Sequence, residues 1–218
     1  RRSSDLSADT PLVAGYWHTT PYAQSGKAAP VRFTRDELHW EPWLADKPLA
    51  EFNAEEQAIL AKYGHSDSPY FRLLARDPDT LGARTRSDKD IFYNPDAGRP
   101  RAERELSATA TLRFNGCIYC ASVHARFASH FSHREGDVQR LLDEGVSADL
   151  GPRWNAIVAA SVALSATPSD FGPEHIDGLR AVGLDDYAIA DALQGAAFFN
   201  WANRLMLKLG EPQLQVGG

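Results

Sequence analysis

From about residue 53 onward, hydrophobic residues recur at the three- and four-residue spacing of amphipathic helices. Glycine and proline residues divide this pattern into eight or nine helices. The predicted helices cover about 53–64, the stretch from Pro69 to before Pro78, about 79–92, 101–114 and 117–131, a short segment ending at Gly145, one starting at Pro152, one from Pro173 to Gly183, and about 185–208. We expect no strand, because β-branched residues are sparse and no clean two-residue alternation persists. The pattern predicts an all-α, multi-helix bundle.

Residues 1–50 have no sustained period and are interrupted by Pro11, Pro21 and Pro30. The segment is nevertheless rich in aromatic side chains: Tyr16, Trp17, Phe33, Trp40 and Trp43. We therefore predict an extended N-terminal arm over 1–50 and one helical domain over 51–212. The arm is expected to lie over the helical core or over a neighbouring subunit, and packing within its own subunit is an equally open alternative.

The composition is that of a globular protein, with 43% hydrophobic and 24% charged residues among 218. A net charge of −6 argues against nucleic acid as a partner. No apolar run approaches the roughly 18 residues of a membrane span, and Arg1 and Arg2 are not followed by the apolar stretch of a signal peptide. The two cysteines lie too close together for a secreted disulfide scaffold, so we expect a reducing, cytoplasmic location.

Both cysteines occur in the segment Asn115-Gly116-Cys117-Ile118-Tyr119-Cys120-Ala121-Ser122-Val123-His124. Two thiols three residues apart can close a disulfide or bind a metal. If the segment starts a helix, Cys117, Cys120 and His124 lie on one stripe, because residues three and four apart share a face. We expect Cys117 in the first helical turn, where the helix dipole favours a thiolate.

The helices predicted on either side of Asn115-Gly116 would form a tight antiparallel hairpin. Reflection about position 115 then brings Glu105 level with His124 rather than with the cysteines. A carboxylate beside a histidine fixes its tautomer and raises its basicity, and a histidine one turn from a thiol can take its proton. A dithiol with such a relay suits two-electron redox chemistry. Helix-end electrostatics favour Cys117 as the attacking thiol, whereas the nearness of His124 favours Cys120, and we give the second argument more weight.

These residues resemble the alkyl hydroperoxidase D-like, or carboxymuconolactone decarboxylase-like, superfamily, and most closely its peroxidase-related branch. The shared pattern is Glu105, eleven residues, Cys117-x-x-Cys120, three residues and His124, and the resemblance extends over about 50–210. The best-known members have a histidine directly before the second cysteine, where this chain has Tyr119. A phenol titrates near pH ~10 and cannot replace an imidazole base. Tyr119 is either a packing aromatic or a residue of the substrate pocket, and we include it among the pocket residues. We expect the departure to affect rate and substrate range.

The resemblance implies a thiol-dependent peroxidase that needs no cofactor or bound metal. In the implied cycle, the Cys120 thiolate attacks a hydroperoxide and becomes a sulfenic acid, with which Cys117 condenses to a disulfide. Glu105 and His124, through water, take the thiol proton and protonate the leaving alkoxide. An external dithiol or a thioredoxin-like protein then reduces the disulfide. The resemblance also implies a homo-oligomer, which the apolar segment 156–164 and the aromatic residues of the arm favour independently.

Other interpretations stay open at this point. The cysteines can be two small buried hydrophobic residues, or structural zinc ligands together with His124, although no fourth ligand is evident nearby. Glu105 taken alone reads as an exposed charge. A non-redox enzyme of the carboxymuconolactone decarboxylase type and a non-catalytic oligomeric scaffold are the alternative functions.

Overall fold

The computed structural model describes residues 29–215, apart from 46, 64, 65, 97 and 99. Within that part of the chain, nine α-helices, one short 3-10 turn and two short strands follow one another. The elements are β1 (Leu38–Pro42), a 3-10 turn (Leu49–Glu51), α1 (Ala54–Tyr63), α2 (Pro69–Leu74), α3 (Pro78–Tyr93), α4 (Arg101–Asn115), α5 (Ile118–Ser132), α6 (Glu135–Glu144), α7 (Pro152–Ser165), α8 (Pro173–Ala181), α9 (Asp186–Leu209) and β2 (Gly210–Leu214). The all-α prediction is confirmed.

Local capping signals explain why the predicted helix starts agree with the structure. The Asn53 side chain accepts a hydrogen bond from the Glu56 amide, and the Glu56 carboxylate accepts one from the Asn53 amide, at 2.9 and 2.8 Å. This is a reciprocal capping box. Asp185 caps α9 by accepting a bond from the Ala188 amide at 2.8 Å. Each cap satisfies backbone N–H groups that a helix start otherwise leaves without a partner.

Helix α4 lies at the centre of the bundle. It packs against α5, α7 and α9, and every residue from Ala102 to Arg113 is buried. Seven of these twelve residues are polar or charged, so they need hydrogen-bond partners within the fold. Helix α7, which contains the apolar segment 156–164, buries Ile157 and Val158 within this arrangement. The centre of the fold therefore has an unusual density of polar groups.

The turn between α4 and α5 depends on a glycine. Gly116 has φ 82°, in the left-handed region that side chains with a Cβ rarely adopt. In this conformation the amides of Gly116 and Cys117 both donate to the Leu112 carbonyl, which closes the end of α4. The chain reverses within two residues, and α5 packs back along α4. Cys117 precedes the helix as its N-cap, rather than lying inside the first turn as predicted.

The expectation of no strand is wrong for two five-residue segments. Strands β1 and β2 pair antiparallel, with Leu38 opposite Leu214 and Pro42 opposite Gly210. The signal is weak in both segments, because they are short and β2 contains Gly210 and Pro212, which are residue types depleted in strands. The pairing joins residues from the two ends of the described chain, so it depends on the folded helices rather than on local sequence.

The described part of the arm packs on the core of its own chain. The Phe33 ring lies 4.4 Å from the Arg113 guanidinium, and the Trp40 indole N–H donates to the Met206 carbonyl at 3.2 Å. Arg126 on α5 donates to the carbonyls of Arg35 and Asp36. Tyr16 and Trp17 lie outside the described residues.

Among the helices that the structure describes, none is both long and apolar enough to cross a membrane.

Candidate active site

The two thiols lie at the start of α5, directly after the turn at Gly116. Cys117 is the N-cap residue and Cys120 lies in the first turn, and their sulfur atoms are 2.8 Å apart. Both cysteines are free thiols and both are buried in the hydrophobic core. The Cys-x-x-Cys spacing at a helix start brings the two sulfurs into direct contact, which is the arrangement that disulfide formation needs.

Burial has a large effect on Cys120. It raises the pKa of this thiol well above its ordinary value, because a thiolate loses hydration in the core. The neighbouring Cys117 thiol raises the pKa of Cys120 further, and the positive charge of Arg84 acts in the opposite direction. The Cys120 thiol therefore holds its proton at neutral pH, and it needs a base before it can act as a nucleophile.

Glu105 and His124 form a directly bonded pair across the hairpin. His124 Nδ1 lies 2.6 Å from Glu105 Oε2, which is the register that reflection about position 115 predicts. An ionised carboxylate only accepts hydrogen bonds, so Nδ1 carries the proton in this contact. The other ring nitrogen, Nε2, is then the basic nitrogen of the neutral imidazole. The pair therefore orients an imidazole base whose tautomer is fixed.

Sequence reasoning missed Arg101, which is the second partner of Glu105. Its Nε donates to Glu105 Oε1 at 2.5 Å, while the Glu105 side chain is fully buried and that of Arg101 is 15% exposed. The guanidinium is stacked against four aromatic rings within 6.0 Å: Phe92, Tyr93, Phe127 and Phe131. The four-residue spacing of Arg101 and Glu105 on one helix was the signal that could have found it.

The imidazole and the thiols occupy neighbouring turns of α5. The His124 ring packs against Phe199 at 4.2 Å and against Phe92 at 5.4 Å between ring centroids, so apolar walls surround the base. Among the described residues no hydrogen bond joins His124 to Cys120. Residues four apart on a helix have Cβ atoms about 5–6 Å apart. One water molecule could bridge such a separation between the imidazole and a thiol.

A cleft of about 290 Å³ opens between β1, α2 and the start of α5. Tyr119 lines it, and so does Tyr70, which the sequence did not single out. Burial raises the pKa of Tyr119, and a negative charge on Cys120 or Cys117 raises it further. The two cleft tyrosines are therefore close enough to the thiols to respond to their charge.

An amide cluster connects the site hairpin to α9. The Asn115 side chain donates to the side-chain oxygens of Asn200 and Asn203, at 3.1 and 3.2 Å. These bonds fix the turn at the end of α4.

In the part of the chain that the structure describes, no group of three or more His, Cys, Asp or Glu side chains is arranged to hold a metal ion.

Comparison with known sequences identifies one family. The profile of the carboxymuconolactone decarboxylase family matches residues 78–163, which include Glu105, both cysteines and His124. Comparison with curated proteins yields no match.

Several solved structures share the fold. A peroxidase-related protein from Ralstonia eutropha JMP134, described as an alkylhydroperoxidase AhpD core, is 22% identical with a TM-score of 0.63, covering 76% of this chain and 90% of its own. A peroxidase-related protein from Silicibacter sp. TM1040 is 21% identical with a TM-score of 0.60, at 76% and 90% coverage. The debrominase Bmp8 is 18% identical with a TM-score of 0.60, at 81% and 94% coverage.

We predict that Arg101→Met destabilises the protein by about 3 kcal/mol, because it leaves a buried carboxylate without its cation. Adding Glu105→Gln to Arg101→Met should recover part of that loss, since the remaining side chain is then neutral. Denaturant unfolding at pH 7 measures both effects.

Arg180→Met is the matched control, because Arg180 pairs with Asp186 at 2.8 Å on the surface. Exposed pairs contribute at most about 1 kcal/mol. Equal effects of Arg101→Met and Arg180→Met would show that Arg101 does not neutralise Glu105.

Proposed function

Because this chain belongs to the alkyl hydroperoxidase D-like, or carboxymuconolactone decarboxylase-like, superfamily, we propose that it is a thiol-dependent peroxidase that reduces hydroperoxides. One observation carries the proposal: a reduced dithiol with its sulfurs 2.8 Å apart lies one helical turn from a carboxylate–imidazole pair. The peroxidase-related branch of the superfamily is the group we assign it to.

In the first half of the proposed cycle, His124 accepts the Cys120 proton through a water molecule. The Cys120 thiolate attacks the terminal oxygen of the hydroperoxide, so an S–O bond forms as the O–O bond breaks. The leaving alkoxide takes a proton from the imidazolium and departs as an alcohol. Glu105 stabilises the transient imidazolium through the Nδ1 hydrogen bond, while Arg101 donates to the other carboxylate oxygen.

In the second half, the Cys117 sulfur attacks the Cys120 sulfenic acid and releases water, which leaves a disulfide. The two sulfurs start in contact, so this step needs little movement of the chain. An external dithiol or a thioredoxin-like protein then returns the pair to the reduced state. Such reductants are abundant in the cytoplasm, which is where we place the protein. Tyr119 lines the cleft by which we propose that the peroxide enters.

We predict that Cys120→Ser abolishes peroxide consumption, whereas Cys117→Ser stops the cycle at a sulfenic acid on Cys120. Removing the resolving thiol leaves this acid without its partner. A dimedone-type probe, located by peptide mass spectrometry, measures the outcome. Labelling of Cys120→Ser in place of Cys117→Ser would reverse the two roles.

Thiol titration of the wild-type chain separates the proposal from its alternatives. A thiol peroxidase loses two thiols for each hydroperoxide consumed. Neither a decarboxylase-type enzyme nor a scaffold has a mechanism that requires this stoichiometry. Unchanged thiols after one equivalent of hydroperoxide would contradict the proposal.

Glu105→Gln and His124→Ala should each slow peroxide turnover by about 10²-fold or more, which is the usual contribution of general acid–base catalysis. The double variant should be little slower than the slower single variant, because members of one relay are not additive. Steady-state rates with a fixed reductant measure this. His130→Gln on the exposed face of α5 is the control and should retain activity. Fully additive losses would show that Glu105 and His124 act separately.

We also propose that the protein is a homo-oligomer. Three aromatic side chains around Arg101 remain exposed in the single chain: Tyr93 at 60%, Phe127 at 37% and Phe131 at 43%. A contiguous apolar patch of this kind marks an association surface.

The expected species in sedimentation has a mass that is a multiple of 24.0 kDa. Phe131→Asp should shift it towards the monomer, while Val31→Asp at another exposed position should not. A wild-type monomer at micromolar concentration would disprove this.

A further inference from the structure

A buried guanidinium with no role in the relay described above lies against two aromatic rings that pack on the core cluster containing both thiols. Arg84 is on α3, and its side chain is only 9% exposed. Its charged group is held between the rings of Phe71 and Phe198, at 5.0 and 5.3 Å from their centroids. Withdrawing a cation from water is costly unless hydrogen-bond acceptors or opposite charges replace the solvent.

The pairing of Arg84 is incomplete. Asp88, one turn further along α3, has a carboxylate oxygen 3.3 Å from Nη1, in an ion pair whose geometry is not that of a hydrogen bond. Among the described residues, neither Nε nor Nη1 of Arg84 has a hydrogen-bond acceptor. Buried donors are nearly always bonded, so two unsatisfied N–H donors on one buried side chain call for an explanation.

A second unsatisfied donor lies beside the first. Tyr70 on α2 is 6% exposed, and its hydroxyl has no hydrogen-bond partner among the residues that the structure describes. Burial raises the pKa of Tyr70, so the phenol keeps its proton and remains a donor, although the nearby Arg84 charge opposes this shift. An edge-to-face contact with Trp40 at 5.5 Å holds the ring in place.

Both donors lie in the surroundings of the thiols. Tyr70 belongs to the buried cluster that contains Cys117 and Cys120, and the two rings that hold Arg84 pack against that cluster. The charge of Arg84 lowers the pKa of Cys120, and a negative charge on Cys120 or Cys117 raises the pKa of Tyr70. The other titratable groups around the thiols are Tyr119 and His124, while Arg126, whose charge lowers the pKa of Tyr119, donates to the carbonyls of Arg35 and Asp36. In the described part of the chain, Arg84 is the cation whose charge favours the Cys120 thiolate.

We propose that Arg84 and Tyr70 form an anion-holding site for Cys120, in which the guanidinium N–H groups and the phenol O–H donate to the sulfur once it has lost its proton. The S–H bond breaks, the proton goes to His124 through water, and the electron pair left on sulfur accepts the waiting hydrogen bonds. The inference rests on the proposed function and deepens it, since it assigns to α2 and α3 the stabilisation of the nucleophile. Charge-assisted hydrogen bonds to an anion are the strong ones in proteins.

The test measures the thiolate directly and uses no peroxide. The fully reduced chain is alkylated with iodoacetamide between pH 6 and 10, and labelling at Cys120 is quantified separately from that at Cys117 by peptide mass spectrometry. Arg84→Met should slow alkylation of Cys120 at pH 7 by about tenfold, because losing a nearby cation raises the thiol pKa. Its rate profile should move to higher pH. Tyr70→Phe should slow the reaction about fivefold, as expected for one hydrogen bond.

Two further variants make the test specific to charge near the thiol. Arg84→Lys keeps the cation and should stay within about threefold of wild type, well above Arg84→Met. Arg86→Met removes an exposed arginine from the same helix and should leave the profile unchanged. Circular dichroism establishes that each variant is folded. If Arg84→Met does not fold, Arg84→Lys and Tyr70→Phe carry the test.

An Arg84→Met profile that overlays the wild type would overturn the proposal, and so would an Arg84→Lys chain as slow as Arg84→Met. If Arg84→Met does not fold, a Tyr70→Phe profile identical to wild type overturns the proposal. If the chain does not consume peroxide, the alkylation profiles still measure how readily Cys120 forms a thiolate. The anion-holding site and the proposed reaction are therefore judged by separate measurements.

Discussion

The fully buried carboxylate of Glu105 is the constraint on which the arrangement of the bundle depends. A carboxylate in the protein interior is tolerated only when cations or donors surround it. Arg101 comes from the preceding turn of the same helix, and His124 comes from the next helix across the Gly116 turn. A slip of one residue between α4 and α5 would rotate His124 away and leave the carboxylate half paired. The polar site thus fixes the register of the two central helices.

The same burial sets opposing demands on the thiols. A dry core brings the two sulfurs into contact, but it also raises the pKa of Cys120, which works against the nucleophile. The start of α5 provides partial positive charge in compensation, and Arg84 provides a full one. The His124 ring is held by Glu105 and packs against Phe199, which fixes the imidazole that the proposed mechanism uses as its base. Reactivity here is a balance between desolvation and nearby charge.

Features with a local cause could be predicted from the sequence. Asn53 and Asp185 as caps and Gly116 as a turn residue act within a few positions, and they gave most helix limits and the Glu105–His124 register. Three features could not be predicted: the pairing of β1 with β2, the burial of Glu105, and the packing of Arg84 between two aromatic rings. Each depends on which elements meet in the folded chain, and the pattern of α4, rich in charge, reads locally as a solvated face.

Tyr119 shows how a residue choice that is visible in the local sequence affects which distant residues the site needs. The best-known members of the superfamily have a histidine there, which could supply both a base and a positive charge beside the second cysteine. A buried phenol with a raised pKa supplies neither at neutral pH. The two tasks must then be divided among other groups. Within the proposed mechanism, His124 keeps the task of base, whereas positive charge comes from Arg84 on a separate helix. Within this mechanism, a chain with tyrosine at this position depends more heavily on α3, because Arg84 is the cation among the described residues whose charge favours the Cys120 thiolate.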